Sequence, residues 1–236
     1  MIKTIVFDLG GTLIQYKDVP LSWENLYREA ILEVGKVCGI TLTSENINKS
    51  VEILSKYNTR ITPREKEVKA ETIFDEILFD WEVDTDKYRK DSLDKFFSYF
   101  QRKTEMYKET LQVLNDLKSN GYHTAILTDV PYGMSIDYVG KDISKFAHLI
   151  DQIKTSVEVG MRKPNSKGYL EILNHFGVEP EEVIFIGDEE KDILGANDIG
   201  MYSVYIDRKN KSNSFGENFK ITTLDELIDI IRILNG

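Results

Sequence analysis

The residues of this chain that could do chemistry are four aspartates, a threonine and a lysine, far apart in sequence. Asp8 lies near the end of the apolar run "TIVFDL", just before Gly10, Gly11 and Thr12. Thr128 and Asp129 close "HTAILTD", Asp188 closes "VIFIGD" with Asp192 shortly after it, and Lys163 sits in "VGMRKPNSKGY". A carboxylate on a strand buried among apolar residues is costly unless something compensates it. A carboxylate beside a hydroxyl, a second carboxylate and a lysine suits phosphoryl transfer. Singly, each residue has a plainer reading. Asp188 can cap a helix and the acids after it can favour the helix dipole. Thr128 can be a strand-end threonine, Lys163 a solvated lysine, and Gly10 with Gly11 a tight turn. What favours chemistry is the set, and the set needs elements that bring it together.

The elements are legible. The runs "TIVFDL", "HTAILTD", "VIFIGD" and "MYSVYID", with a weaker one near "DQIKTSVEVG", are nearly continuous in apolar residues. That is the pattern of strands buried on both faces, hence of a parallel sheet. Helical patterns alternate with them: "TLQVLNDLKSNG", "SKGYLEILNHFG" ending at Gly177, and "TLDELIDIIRIL". The expected fold class is α/β, a Rossmann-like three-layer αβα core. Ligands of such sheets bind beyond the carboxyl ends of the strands, where Asp8, Thr128, Asp129 and Asp188 all fall. From Pro20 to about Gln101 the pattern is helical. "SWENLYREAILEVGKVCG", "SENINKSVEILSKY" and "DKYRKDSLDKFFSYFQ" each repeat apolar residues along one face, and "ITPREKEVKAETIFDEILFDW" is expected to start a helix with Thr62 as N-cap, Pro63 at its first position and Glu65 closing a capping box. The expected division is a core of residues 1–15 and 102–236 and an inserted α-helical cap of residues 16–101. Its junctions, "KDVPL" and "QRKTEMY", imply a hinge.

Composition bounds the partners. The 236 residues carry 40 acids against 30 lysines and arginines, a formal charge of -10. Nucleic-acid phosphates would be repelled by that excess. The single cysteine, Cys38, allows no internal disulfide and points to a reducing compartment. No apolar run approaches the ~20 residues of a membrane span. The N-terminus lacks the pattern of a signal peptide. The chain therefore reads as cytoplasmic, with no nucleic-acid or membrane partner.

Four motifs in order, "DLGGT", "ILTD", Lys163 in "VGMRKPNSKGY" and "IGDEEKD" followed by "ILGANDIGM", resemble those of the haloacid dehalogenase superfamily. Most members are phosphohydrolases, and the helical insert sits where the family places a type-one cap. The resemblance implies that Asp8 attacks phosphorus and forms an aspartyl-phosphate. It implies that Thr128 and Lys163 hold the phosphoryl oxygens, with Asp129 on the substrate-binding side. It also implies Mg²⁺, held by Asp8, the Gly10 carbonyl and Asp188, with Asp192 binding the ion or its water. Charge counting agrees. Asp8, Asp188 and Asp192 bring three negative charges against one from Lys163, and a phosphate dianion needs a cation to approach them. The departure is Gly10, where the family usually has a second aspartate that protonates the leaving oxygen and later activates water. Tyr16, Lys17 and Asp18 follow the motif and are candidate substitutes. The expected activity is a Mg²⁺-dependent phosphohydrolase acting on a small phosphorylated metabolite. Its alternatives are a 2-haloacid dehalogenase-like hydrolase and a catalytically weak phosphate- or partner-binding protein. The family's dehalogenases place an aromatic residue at Gly10 and lack the acid at Asp188, and a phosphomutase leans on the missing acid. The sequence singles out no particular substrate and no oligomeric state.

Overall fold

The computed structural model describes every residue except Leu21 and Ser212. Leu21 ends the expected "KDVPL" junction, so that end of the junction lies outside the described residues. The chain forms two compact units. The first comprises Met1–Gln15, Glu105–Asp129 and Gly140–Gly236, and the second Tyr16–Thr104 and Val130–Val139.

The first unit is built on a six-stranded sheet. In chain order its strands are β1 (Thr4–Phe7), β4 (His123–Thr128), β5 (Gln152–Thr155), β6 (Val183–Gly187), β7 (Tyr202–Ile206) and β8 (Phe219–Ile221). All neighbours are parallel, in the order β5-β4-β1-β6-β7-β8. The four residues of β1 and the five of β6 are all buried, which is why both read as unbroken apolar runs. Phe7 stands level with Ile126 of β4 and with Ile186 of β6. That register ends the three strands together and places Asp8, Thr128 and Asp188 along one edge. The order also reverses beside β1, since β4 and β5 add on one side and β6 to β8 on the other. Such a switch point is where open α/β sheets leave a crevice.

Helices α5 (Thr110–Ser119), α8 (Lys167–Phe176), α9 (Glu190–Asp198) and α10 (Leu227–Asn235) belong to this unit. The apolar face of α8 packs Tyr169, Ile172 and Leu173 with Val6, Leu127 and Phe185 of the sheet. It stops at Gly177, whose φ of 62° is left-handed, as the sequence predicts. Strand β8 is one the sequence reading missed. It is three residues long and preceded by polar chain, too short for a period. It is held by Asn218, whose Oδ1 accepts from the Ser203 backbone at 2.8 Å.

The second unit has four main helices, α1 (Tyr27–Cys38), α2 (Ser44–Tyr57), α3 (Ala70–Asp80) and α4 (Thr85–Gln101). Between Pro20 and Gln101 no strand occurs among the described residues. Thr43 caps α2 in a capping box and the Asp84 carboxylate caps α4. The expected cap at Thr62 is not there. Helix α3 begins at Ala70, and residues 61–69 are irregular. The capping-box pattern loses to other local bonds. The Thr62 backbone donates to the Asn58 carbonyl at 2.8 Å. Arg64 donates to the Tyr57 carbonyl at 2.6 Å and to Glu67 at 3.0 Å, folding the segment back on the end of α2.

Residues 130–139, expected in the core, group instead with the helices. Tyr132 is the reason. It lies 5.5 Å from the Trp23 ring and 6.0 Å from the Tyr27 ring, and its hydroxyl bonds that of Tyr27. Gly133 adopts a left-handed φ of 64°, and a Cβ there would collide with the Val68 carbonyl. Tyr138, in the short helix α6 (Ile136–Asp142), donates to Asp94 at 2.7 Å. Two strands too short for sequence patterning, β2 (Ile14–Tyr16) and β3 (Thr104–Met106), pair as a separate ribbon. Each of them contains a boundary between the units.

Candidate active site

Asp8 follows β1 directly, and its backbone N–H donates to the Ile186 carbonyl at 2.8 Å, extending the ladder to the sheet edge. Lys163 reaches the same point from the loop between α7 (Ser156–Val159) and α8. Its ammonium donates to Asp8 Oδ1 at 2.6 Å and to the Leu127 carbonyl at 3.1 Å, and stands 2.6 Å from Asp192 Oδ1. The Lys163 and Asp192 side chains are almost wholly buried, at 2% and 0% exposure. Asp192 occupies the first turn of α9, where its Oδ2 accepts from the Glu189 N–H at 3.0 Å. Thr128 ends β4, buried and level with Thr155 of β5. Asp129 follows it and turns its carboxylate inward. Oδ1 accepts from the Lys163 backbone N–H at 3.0 Å, and Oδ2 lies 2.9 Å from Lys191 Nζ.

The two glycines after Asp8 differ. Gly11 has φ of 81°, and a Cβ on it would overlap the Asp188 carboxylate, so only glycine lets that carboxylate lie so close. Gly10 has no such need. Its φ is not left-handed, and a Cβ there meets nothing within 4 Å among the described residues.

The electrostatics are lopsided. Carboxylate oxygens of Asp8, Asp188 and Asp192 all lie within 4.8 Å of one another. Burial, then the neighbouring charges of Asp8, Asp192 and Glu189, push Asp188 up to about 8. Burial and Asp8 raise Asp192 to about 6 even though Lys163 pulls it down. Burial disfavours the charge on Lys163, but Asp192, Asp8 and Asp129 outweigh it and hold the ammonium well above the usual lysine range. Burial also opposes the charge on Asp129, yet Lys191, Lys163 and Arg162 hold that carboxyl below the usual range. Asp188 Oδ1 is buried and has no hydrogen-bond partner. Three clustered carboxylates, one of them uncompensated and none soft, form a donor set suited to a hard divalent cation.

The sequence reading named Asp8, Gly10, Thr128, Asp129, Lys163, Asp188 and Asp192, and the fold gathers all seven at one sheet edge. It did not name Lys191 or Arg162. Lys191 was hidden within "GDEEKD", where only the acids have a known pattern, and Arg162 stands beside the lysine that drew attention. Tyr16, Lys17 and Asp18 belong to the helical unit. There Asp18 has a left-handed φ of 54° and pairs with Lys103 at 3.4 Å.

Comparison with known proteins places this arrangement. A glyceraldehyde 3-phosphate phosphatase of Methanothermobacter thermautotrophicus is 28% identical over 244 residues, spanning 99% of this chain and 100% of the relative. The pyrophosphatase PpaX of Bacillus cereus is 24% identical over 247 residues, spanning 100% of this chain and 97% of the relative. Among solved structures, a HAD phosphatase from Thermococcus onnurineus shares the fold with a TM-score of 0.67, at 23% identity and 98% coverage of both chains. A 2-haloacid dehalogenase from Pseudomonas syringae shares it with a TM-score of 0.73, at 20% identity and 99% coverage of both chains. A family model described as haloacid dehalogenase-like hydrolase matches residues 2–200, and the chain belongs to that family.

Proposed function

We propose that this protein is a Mg²⁺-dependent phosphohydrolase that cleaves a small phosphorylated metabolite through an aspartyl-phosphate on Asp8. The observation that carries the reading is the Asp8–Lys163–Asp192 contact beside the uncompensated Asp188 carboxylate. Lys163 holds Asp8 Oδ1 and leaves Oδ2 to attack phosphorus. The ester bond to the leaving oxygen breaks as the Asp8–phosphorus bond forms. The Lys163 ammonium and the Thr128 hydroxyl bind the equatorial oxygens as charge builds on them. Asp129 fixes the backbone that carries Lys163. Mg²⁺, held by Asp8, the Gly10 carbonyl, Asp188 and Asp192, would supply the positive charge that lets a phosphate dianion approach three carboxylates. A water then attacks the phosphorus and frees Asp8 and inorganic phosphate.

The relatives' substrates, glyceraldehyde 3-phosphate and pyrophosphate, open the list of compounds to test. The experiment is a screen of these, an aryl phosphate and a panel of metabolite phosphates, with Mg²⁺ and with EDTA. Asp8→Asn serves as the chemical control, and chloride release from a haloacid as the competing assay. Turnover that needs Mg²⁺ and disappears in Asp8→Asn is expected. Undiminished hydrolysis by carefully purified Asp8→Asn, or activity only on the haloacid, would overturn the reading.

A further inference from the structure

We infer that Arg208 is a positioning residue for phosphoryl transfer, clamping the loop after Asp8 through the carbonyls of Gly11 and Thr12. The inference rests on the function proposed above. Arg208 follows β7, almost the whole chain away from the loop it holds. Its Nε donates to the Gly11 carbonyl at 3.0 Å and its Nη2 to the Thr12 carbonyl at 2.6 Å. Its Nη1 donates to Glu109 Oε1 at 2.6 Å, and its guanidinium lies 3.5 Å from the centre of the Tyr107 ring. Both charged side chains are largely buried, with exposures of 14% and 5%.

The loop's own hydrogen bonds explain why a clamp is needed. The N–H groups of Thr12, Leu13 and Ile14 all turn inward to the Leu9 carbonyl, and that of Gly11 turns to the Ile14 carbonyl. The carbonyls of Gly11, Thr12 and Leu13 are left facing outward. Arg208 takes the first two. The Tyr107 N–H, at 3.1 Å, and the Thr110 hydroxyl, at 2.9 Å, take the third. A planar fork with fixed donor directions holds two adjacent carbonyls and a carboxylate in set positions, which a rotating ammonium on a flexible stem does not. A buried ion pair is weak evidence for stability alone. Here the remaining donors go to the loop that sets the Gly10 carbonyl and presses Gly11 against Asp188. A shift of about 1 Å at such a place costs on the order of 10²-fold in rate.

The test compares wild type with Arg208→Met and Arg208→Lys, using an aryl phosphate with Mg²⁺, amide hydrogen exchange, and thermal stabilisation by Mg²⁺ alone. For Arg208→Met, kcat should fall about 10–100-fold with KM within about twofold, the signature of lost positioning. Exchange over residues 9–14 should quicken at least about tenfold while strands β4 and β7 keep their protection. Stabilisation by Mg²⁺ should shrink. Arg208→Lys, which keeps the charge but loses the fixed fork, should fall between, and it carries the same test if the methionine variant does not fold. Unchanged exchange over residues 9–14 would overturn the inference, as would faster exchange in all strands with kcat restored by cooling. A wild type that hydrolyses no phosphate ester would defeat the proposed function, while the exchange and Mg²⁺ measurements would still decide the clamp.

Discussion

Replacing Asp188 by asparagine should make the metal-free protein more stable and the metal-loaded protein less so. The carboxyl of Asp188 is raised to about 8 by burial and by the charges of Asp8, Asp192 and Glu189. An unfolded aspartate ionises near about 3.9. Between those values the unfolded chain releases a proton that the folded chain must keep, so stability falls as pH rises through the window. At about pH 7 the gap is roughly three units, at most about 4 kcal/mol; at about pH 5 it is about 1.5 kcal/mol, and below about pH 4 it vanishes. The asparagine side chain would keep the shape beside Gly11 and carry no such cost. A buried amide that lacks a full set of partners returns about 1–3 kcal/mol of the gain. Urea unfolding in EDTA across this range, with fitted slopes compared between variants, reads the difference directly. With Mg²⁺ at about a hundred times its Kd, wild type should gain about 2.7 kcal/mol and the variant far less. An asparagine variant no more stable than wild type at about pH 7 in EDTA would show that the fold does not disfavour the charged form of Asp188. So would a gap that does not close towards acid.

Gly11→Ala must place a side chain at a left-handed φ and against Asp188, so it should lose about 2 kcal/mol or more in urea and lose its stabilisation by Mg²⁺. An alanine variant with wild-type stability and wild-type Mg²⁺ response would refute the packing argument. Gly10→Asp should fold normally and raise turnover of alkyl phosphates by up to about 10²-fold while changing aryl phosphates little, measured by phosphate release. A folded variant with no gain on alkyl esters would mean that another acid already serves.

The core was legible because its strands are buried on both faces, which writes them as apolar runs. Register then did what sequence cannot show, bringing Phe7 level with Ile126 and Ile186 and so gathering Asp8, Thr128 and Asp188. The capping rule failed where other local bonds competed with it. Thr62, Pro63 and Glu65 have the right types for a helix start, but Asn58 and Arg64 tie that segment down as a loop. Strands β2, β3 and β8, three residues each, carry no period to read. Tyr132 looks like core chain following a strand, and it is its contacts with Trp23, Tyr27 and Phe96 that assign it to the helices. Arg208 left no signal, since the carbonyls it bonds lie nearly the whole chain away.

The adjacent glycines of "DLGGT" thus serve different physical ends. Gly11 is required by its backbone and by the Asp188 carboxylate that fills the place of its side chain. Gly10 is required by neither, so crowding does not account for the missing acid there. In the proposed mechanism, covalent attack by Asp8 and charge stabilisation by Lys163 need nothing from that position. Protonation of the leaving oxygen does. Under the proposed mechanism a site with the first two and without the third favours esters whose leaving groups depart as stable anions. It also keeps its phosphoenzyme longer, because the water that opens it loses the usual base. The conditions that reveal such an enzyme are therefore a good leaving group, Mg²⁺ and an early acid quench. A survey limited to sugar and other alkyl phosphates would under-report its activity.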